Sequence, residues 1–285
     1  MKYVKNNLAA GLTILALICL VFKAFIATSL SIDENLITRA LTSYIIAYLA
    51  FKISFIETKK VAIMFAPLII HSLLVALIVR GGFSTKIPSD LVQIITSLYK
   101  LMVMVGVFFI LELIFNKLVG SLATSIIGAF SLGLYLLIIF SKRLYALEPF
   151  EDFFLYFSFY VMAIRLRSAS RLNPALLILA IIMVFGEIYL KEFYLKFDYG
   201  FLLTIFPLAY LILKTITEEA TMSFLDYQIF TLIYVYPAIF VIIKLGFDIE
   251  SLAISIIAVL ASYIASEIIY KIKNKYLSYL LLGIN

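Results

Sequence analysis

The chain has no tryptophan, one cysteine and one histidine among its 285 residues. The lone cysteine, Cys19, excludes an intramolecular disulfide and a metal site built from clustered cysteines. The lone histidine, His71, excludes a haem held by two histidines. Because tryptophan is absent, the aromatic belt of any membrane-spanning segments has to be formed by tyrosine.

Charge is also scarce. Only 14% of the residues are charged, 65% are hydrophobic, and the mean hydropathy is +1.13. These values lie outside the usual range of a water-soluble domain. The net charge of +6 comes from cations dispersed along the chain, so we expect anionic lipid headgroups rather than nucleic acid as the counter-charge.

What the chain does contain is a succession of long apolar stretches. A helix that rises about 1.5 Å per residue needs about 20 apolar residues to cross a hydrocarbon core about 30 Å thick. We predict an all-α, polytopic membrane protein with about ten transmembrane helices. The predicted spans are residues 8–29, 36–56, 61–79, 91–115, 118–140, 150–166, 175–190, 200–213, 227–245 and 251–270.

The distribution of lysine and arginine predicts the orientation of these spans. Cations are retained on the cytoplasmic side, and here they are more frequent at the N-terminus and in the alternate segments that contain Lys59, Lys60, Arg165, Arg167 and Arg171. An even number of spans places both termini on one side. We therefore expect a multi-pass protein of the cell membrane, N-in and C-in, and we expect the first span to stay in the mature chain.

The two halves of the chain, 1–143 and 144–285, share a weak pattern. Val21–Phe25 followed by a polar break parallels Val161–Arg165, and Pro67 in the third span parallels Pro207 in the eighth. Transporters are often built from two similar halves in opposite orientations. Since five is an odd number of spans, a tandem copy has to insert upside-down, which predicts an inverted 5+5 repeat in one membrane domain.

Several local patterns complete a resemblance to a known family. They are the Val21-Phe22-Lys23-Ala24-Phe25 element, the Arg39-led second span, the spaced glycines Gly128 and Gly133, and Val235-Tyr236-Pro237-Ala238. With the span count and the duplication, the chain resembles the ten-span EamA-like branch of the drug/metabolite transporter superfamily. The resemblance implies a carrier that works by alternating access.

Two ionisable residues lie about 15 Å from the nearest membrane surface if the predicted spans are right. They are His71 in the third span and Lys100 in the fourth. Such residues usually face a cavity or a partner rather than lipid, so both are candidate substrate-binding residues. The alternatives are a hydrogen-bonded neutral histidine, and a lysine that links helices by pairing with Glu112 or Glu187.

The other candidate substrate-binding residues are Lys23, Arg39, Glu187 and Tyr236. Lys23, Arg39, His71 and Lys100 together would form a cationic vestibule suited to an anionic or zwitterionic metabolite, although Lys23 and Arg39 are also close enough to the interface to snorkel. Pro67, Pro207 and Pro237 are candidate hinges, because proline frees backbone carbonyls inside a span; they can equally be simple kinks.

These observations predict a secondary transporter of a small polar or anionic metabolite, without cofactor or metal. The sequence contains no phosphate-binding loop, so a gradient has to drive transport, and no catalytic constellation, so we do not expect an enzyme. The alternatives are a non-catalytic subunit of a membrane complex and a ten-span membrane acyltransferase. The expected partners are a small-molecule substrate and membrane lipids, with an oligomer also compatible.

Overall fold

The computed structural model describes residues 2–30, 34–54, 56, 58–80, 89–140, 145–166, 222–247 and 250–284. Within these ranges the backbone forms helices and the turns that join them, with no strand. The all-α expectation is therefore confirmed for the described chain. The predicted seventh and eighth spans, 175–190 and 200–213, lie outside the described residues.

The helices follow one another in chain order, and eleven α-helices and one 3-10 helix fall in the described ranges. They are α1 (Lys2–Val21), α2 (Lys23–Leu30), α3 (Glu34–Ile53), α4 (Thr58–Met64), α5 (Ala66–Arg80), α6 (Ser89–Leu118), α7 (Ser121–Phe140), a 3-10 helix (Tyr145–Phe150), α8 (Glu151–Leu166), α9 (Phe224–Gly246), α10 (Ser251–Ile272) and α11 (Lys275–Leu282).

The chain divides into two compact units that are interleaved in sequence. The first comprises Met1–Ala9, Lys23–Phe55 and Val107–Glu218, and the second comprises Ala10–Phe22, Ile56–Gly106 and Glu219–Asn285. Each unit therefore takes residues from both halves of the sequence. The predicted division at 143/144 and its inverted repeat stay predictions.

Helix α8 is the central element of the first unit, where it packs against both α3 and α7. Its buried stretch is largely aromatic, and Phe153 and Phe157 surround the ring of Phe108 at centroid distances of 5.2 and 5.4 Å. Gly128 of α7 allows a close approach, since a Cβ there would lie 2.7 Å from Val161 Cγ1.

In the second unit α9 packs most extensively on α10. Helix α9 begins with a capping box, in which Ser223 and Asp226 bond each other's backbone N–H groups. The face of α10 that is buried carries small side chains, among them Ser255, Ala258 and Ser262. Small residues let two helices approach closely, as membrane helices often do.

Three described helices are long and apolar enough to cross a membrane: Thr96–Leu118, Phe224–Gly246 and Ser251–Ile272. A fourth candidate exists if Ala9–Val21 and Lys23–Ser29 are counted as one broken span. Along α10, apolar side chains at every fourth position from Leu252 to Ile268 are exposed, which suits contact with lipid. The described chain is thus a helical protein with several helices of membrane-spanning character.

Two spans that the sequence predicts as single helices are each divided in two. The stretch 8–29 contains the end of α1 at Val21 and the start of α2 at Lys23, and 61–79 contains the junction of α4 and α5 at Phe65. Hydropathy reports the length of an apolar run and does not register an interruption of its backbone hydrogen bonds. The second interruption, near Pro67, forms the candidate site described next.

Candidate functional site

The junction between α4 and α5 is a break in a predicted membrane span, and Pro67 accounts for it. Proline has no N–H and its ring clashes with the carbonyl four residues earlier, so it is favoured in the first turn of a helix, where Pro67 lies. The Leu68 N–H bonds the Phe65 carbonyl at 3.1 Å, three residues back. The Met64 carbonyl, which Leu68 would bond in a regular helix, is thereby freed.

The freed carbonyl is satisfied by a side chain of another helix. The Tyr234 hydroxyl of α9 donates a hydrogen bond to the Met64 carbonyl at 2.8 Å, and both residues are buried. A buried backbone acceptor without a partner is costly, so this bond holds the break in place against α9.

His71 lies one turn beyond Pro67 on α5 and is 4% exposed. Its ring stacks on the Tyr234 ring, with centroids 5.9 Å apart and planes inclined by 15°. The Leu281 carbonyl lies 2.9 Å from Nε2, and because a carbonyl only accepts, Nε2 carries the proton. The other ring nitrogen, Nδ1, is buried and has no hydrogen-bond partner among the described residues.

The segment that follows α10 closes over the same break. Helix α11 begins at the cap residue Asn274, whose side chain accepts from two backbone N–H groups, and ends at Gly283 with φ at +68°. A Cβ at Gly283 would lie 2.5 Å from Met64 Cα and 2.6 Å from the Met64 oxygen, so only glycine fits. We call this constellation the break site: Met64, Phe65, His71, Tyr234, Leu281 and Gly283.

Three further predicted site residues lie in the same unit. Tyr236 is fully buried on α9. The residue of that helix that contacts His71 is Tyr234, two positions earlier. The Lys100 side chain is exposed on α6. Pro237 is buried within α9, which continues through it to Gly246 without a break. Of these two hinge candidates, Pro67 lies at a division between two helices and Pro237 lies inside a continuous helix.

Lys23 and Arg39 belong to the first unit, and both are ion-paired. Lys23 Nζ lies 3.1 Å from the Glu34 carboxylate. Arg39 is held by two adjacent acids, with Nη1 2.8 Å from Glu151 and Nε 2.8 Å from Asp152. These cations are therefore balanced by carboxylates at the start of α3 and α8. Glu187 and Pro207 lie outside the described residues.

A second polar cluster of the first unit was not predicted from the sequence. Glu112, which is buried, accepts a hydrogen bond from the Asn116 amide one turn later on α6. The Asn116 oxygen accepts in turn from Thr124 at 2.7 Å and from Arg165 at 3.3 Å. Through Asn116 the buried Glu112 is thus connected to Thr124 of α7 and Arg165 of α8.

The break site has residues that sequence reasoning missed, namely Tyr234, Leu281 and Gly283. Tyr234 is one of several tyrosines in an apolar helix, and nothing local distinguishes it. For the C-terminal segment a signal was present, since Asn274 and Gly283 flank an eight-residue stretch as a typical N-cap and C-terminal glycine.

The described chain is thus helical, with three helices long and apolar enough to cross a membrane, and its α4–α5 break lies beside a buried histidine. No known family model, curated protein or solved structure matches this sequence or fold.

Proposed function

We propose that this chain is a multi-pass protein of the cell membrane that transports a small polar metabolite by alternating access. The observation that carries the proposal is the break site. Non-helical backbone at membrane depth is costly in lipid and is tolerated where it is enclosed by protein or lines a cavity. Transporters commonly bind their substrates at such broken helices.

The chemistry of the break site supports the same function. An interruption of α4–α5 that served only to bend the chain would need no ionisable residue beside it. Here a buried imidazole lies one turn away, with one nitrogen fixed by the Leu281 carbonyl and the other without a hydrogen-bond partner in the part of the chain that the structure describes. Intramembrane ionisable residues usually mark a functional site.

The ten-span inverted repeat and the EamA-like relationship belong to this proposal. They are supported by the paired sequence patterns of the two halves and by the helices Thr96–Leu118, Phe224–Gly246 and Ser251–Ile272, which suit a membrane. In this view the substrate is held at the break site and a gradient drives the change of access. Direct use of ATP is not part of the proposal.

The alternative functions have less support. A subunit of a membrane complex would be covered by partner helices, but the exposed apolar side chains of α7 and α10 suit lipid equally well. For a membrane acyltransferase the general base would be His71, since it is the lone histidine of the chain. Its Nε2 donates to the Leu281 carbonyl, and among the described residues no hydroxyl is bonded to Nδ1.

Transport by purified protein in liposomes tests the proposal. Liposomes with and without the protein are loaded with a mixture of small polar metabolites, and the loss of each compound is followed by mass spectrometry. We expect at least one compound to be lost faster with protein, and Tyr234→Phe to slow that loss because the Met64 carbonyl is left unpaired.

Tyr263→Phe provides a matched control for Tyr234→Phe. Tyr263 lies on α10, is 42% exposed, and contacts Phe224 through its ring rather than through a backbone carbonyl. We expect liposomes with this variant to lose the transported compound as fast as liposomes with the unaltered protein. Equal rates with and without protein for every compound, together with co-purification of a second membrane protein at fixed stoichiometry, would favour the complex subunit instead.

A further inference from the structure

The C-terminal end of α10 carries three lysines in five residues, which we call the lysine cluster. Lys271 lies in the last turn of α10, Lys273 follows the helix, and Lys275 begins α11. All three side chains are exposed. Successive Cα atoms are about 3.8 Å apart, so the first and last lysines of the cluster lie within about 15 Å of each other. Residues 268–285 contain no aspartate or glutamate, so this end of the helix is positively charged.

Carboxylates of the described chain balance only one of these cations. Lys271 Nζ lies 3.2 Å from Glu267, one turn earlier. Lys275 Nζ lies over the Tyr279 ring, 5.9 Å from its centroid, and a neutral ring leaves the net charge in place. Lys273 and Lys275 have no carboxylate partner among the described residues. The lysine cluster thus presents two uncompensated positive charges.

Local structure does not explain why two of these positions are lysine. Lys273 is the one non-glycine residue with positive φ in the described chain, at +49°, and glycine or asparagine is usual at such a helix end. Lys275 is the first residue of α11, where the helix dipole favours an acid over a cation. The dipole does favour Lys271, in the last turn of α10. Lys273 and Lys275 therefore point to an anionic partner outside the chain.

The face of α10 that leads to the lysine cluster is apolar and exposed. Leu260, Ile264 and Ile268 are all exposed, and at 100° per residue Lys271 lies within about 60° of each of them around the helix. Tyr276, which follows the cluster, is 85% exposed, and tyrosine is typical of the boundary between hydrocarbon and headgroups. Apolar surface followed by cations matches the order of acyl chain and phosphate in a phospholipid.

We propose that the lysine cluster and the adjacent face of α10 bind an anionic phospholipid. Its phosphate contacts Lys273 and Lys275, and its acyl chains lie along Ile264 and Ile268. The inference rests on the part of the proposed function that places α10 in a membrane, and it does not depend on transport. Because the cytoplasmic leaflet is the negatively charged one, this surface agrees with the proposed C-in orientation.

The absence of tryptophan from the chain allows a local reporter of bound lipid. Ile268→Trp places a single indole one turn before Lys271, and Leu252→Trp places it at the other end of α10, two positions after the exposed Glu250. The full-length variants are reconstituted in mixtures of phosphatidylglycerol and phosphatidylcholine. One of the two lipids at a time carries brominated acyl chains, which quench tryptophan on contact. The quenching gives the relative binding of the two lipids at each end of the helix.

We expect phosphatidylglycerol to be favoured at least about fivefold at Ile268→Trp, since each interfacial lysine changes the affinity for an anionic surface by about that factor. No preference for it is expected at Leu252→Trp. In the Ile268→Trp chain, the double change Lys273→Gln and Lys275→Gln should bring the ratio to about one. Lys244→Gln, near the other end of α10 in sequence, is the matched control and should leave the ratio unchanged.

A glycine variant separates lipid binding from stability. Lys273→Gly removes one charge of the lysine cluster and suits the positive φ of that position. We expect it to lower the preference for phosphatidylglycerol without lowering the temperature of thermal unfolding. Loss of stability with an unchanged lipid preference would mean that Lys273 serves the helix end instead, and would overturn its role in the lipid site.

The outcomes separate this inference from the proposed function. A ratio near one at Ile268→Trp, the same ratio at both ends, or a preference that the double glutamine change leaves intact overturns the lipid site alone. A preference removed by inorganic phosphate but not by sodium chloride of equal ionic strength would assign the cluster to soluble phosphate and overturn it too. Absence of quenching at both ends would overturn the membrane placement of α10. Lipid preference without metabolite flux above protein-free liposomes would retain the lipid site and overturn the transport function.

Discussion

Arg39 is a residue whose two carboxylate partners follow one another in the sequence. Its guanidinium lies 2.8 Å from both Glu151 and Asp152, at the start of α8. Replacing it by methionine leaves two neighbouring, partly buried carboxylates without their cation. We expect Arg39→Met to lower the free energy of unfolding by about 1–3 kcal/mol, between the values for exposed and fully buried pairs, as measured by thermal unfolding in detergent.

An exposed ion pair of the same chain provides the control for Arg39. Lys271 Nζ lies 3.2 Å from the Glu267 carboxylate, and the two side chains are 72% and 43% exposed. Lys271→Met is expected to change the unfolding free energy by less than about 0.5 kcal/mol. Arg39→Lys, which keeps the charge but loses the fork geometry, is expected to fall in between. Equal effects of Arg39→Met and Lys271→Met would contradict the structural role of the pair.

At the residue scale, the sequence predicts how deep a side chain lies in a membrane, which stays a prediction, but not which way the side chain faces around its helix. It placed His71 and Lys100 at similar depths, yet His71 is buried and Lys100 is exposed. Helices apolar on all sides carry no pattern that distinguishes the buried face. The partner of Arg39 is 113 residues away in sequence, so its pairing depends on how α3 and α8 pack.

Two glycines of α7 have different surroundings and should respond differently to alanine. A Cβ at Gly128 would lie 2.7 Å from Val161 Cγ1 and 2.8 Å from its Cβ, whereas nothing lies within 4 Å of a Cβ at Gly133. We expect Gly128→Ala to destabilise the protein by about 1–3 kcal/mol by pushing α7 from α8. Thermal unfolding of the purified variant measures this loss.

Gly133→Ala is the matched control on the same helix. Alanine is favoured over glycine inside a helix by about 0.5–1 kcal/mol, so this variant should be at least as stable as the original chain. Destabilisation by both variants to the same extent would mean that helix propensity or lipid contact, rather than the approach of Val161, decides the effect.

The docking of α11 on the α4–α5 break can be tested through two glycines with positive φ. Gly120 has a φ of +89°, and nothing lies within 4 Å of a Cβ built there. Gly283 has a φ of +68°, and a Cβ built there would lie within 2.6 Å of the Met64 backbone. Left-handed backbone costs a non-glycine residue about 1–2 kcal/mol. Gly120→Ala should show that cost alone, and Gly283→Ala a clearly larger loss of unfolding free energy.

Thermal unfolding of the two glycine variants decides whether the break site needs the C-terminal segment. If Gly283→Ala costs no more than Gly120→Ala, the close contact with Met64 adds nothing to stability. In that case the hydrogen bond between His71 and the Leu281 carbonyl would not depend on tight docking of α11.

At the element scale, the helices were predicted well where an apolar run is one helix. The predicted span 251–270 is the helix Ser251–Ile272, and 227–245 is Phe224–Gly246. Breaks were predicted less well. Pro67 indicated the interruption at Phe65, but α1 ends at Val21 without a proline or glycine nearby. The two spaced glycines of α7 also differ, since a Cβ at Gly128 would meet Val161 and the Cβ position of Gly133 is open.

At the scale of the whole molecule, the two halves that the sequence patterns predict differ from the two compact units of the structure. The paired patterns of the sequence separate 1–143 from 144–285, whereas each compact unit combines segments of both halves. Composition alone was enough to predict helices suited to a membrane, because that property depends on the sum of many apolar side chains. Which segments pack together depends on a few long-range contacts, such as Tyr234 with Met64, and these leave no pattern in a single sequence.

The orientation of the whole chain can be tested on α10, whose 22 residues span about 33 Å as a helix. Glu250 precedes it and Tyr276 follows it, and both side chains are exposed. With Cys19→Ala as background, each position is changed to cysteine and labelled with a membrane-impermeant maleimide. In intact cells the thiol introduced at 250 should react and the one at 276 should not; in inside-out vesicles the pattern should reverse. Reaction of both from one side would mean that α10 does not cross the membrane, and a reversed pattern would overturn the N-in, C-in orientation while retaining the span.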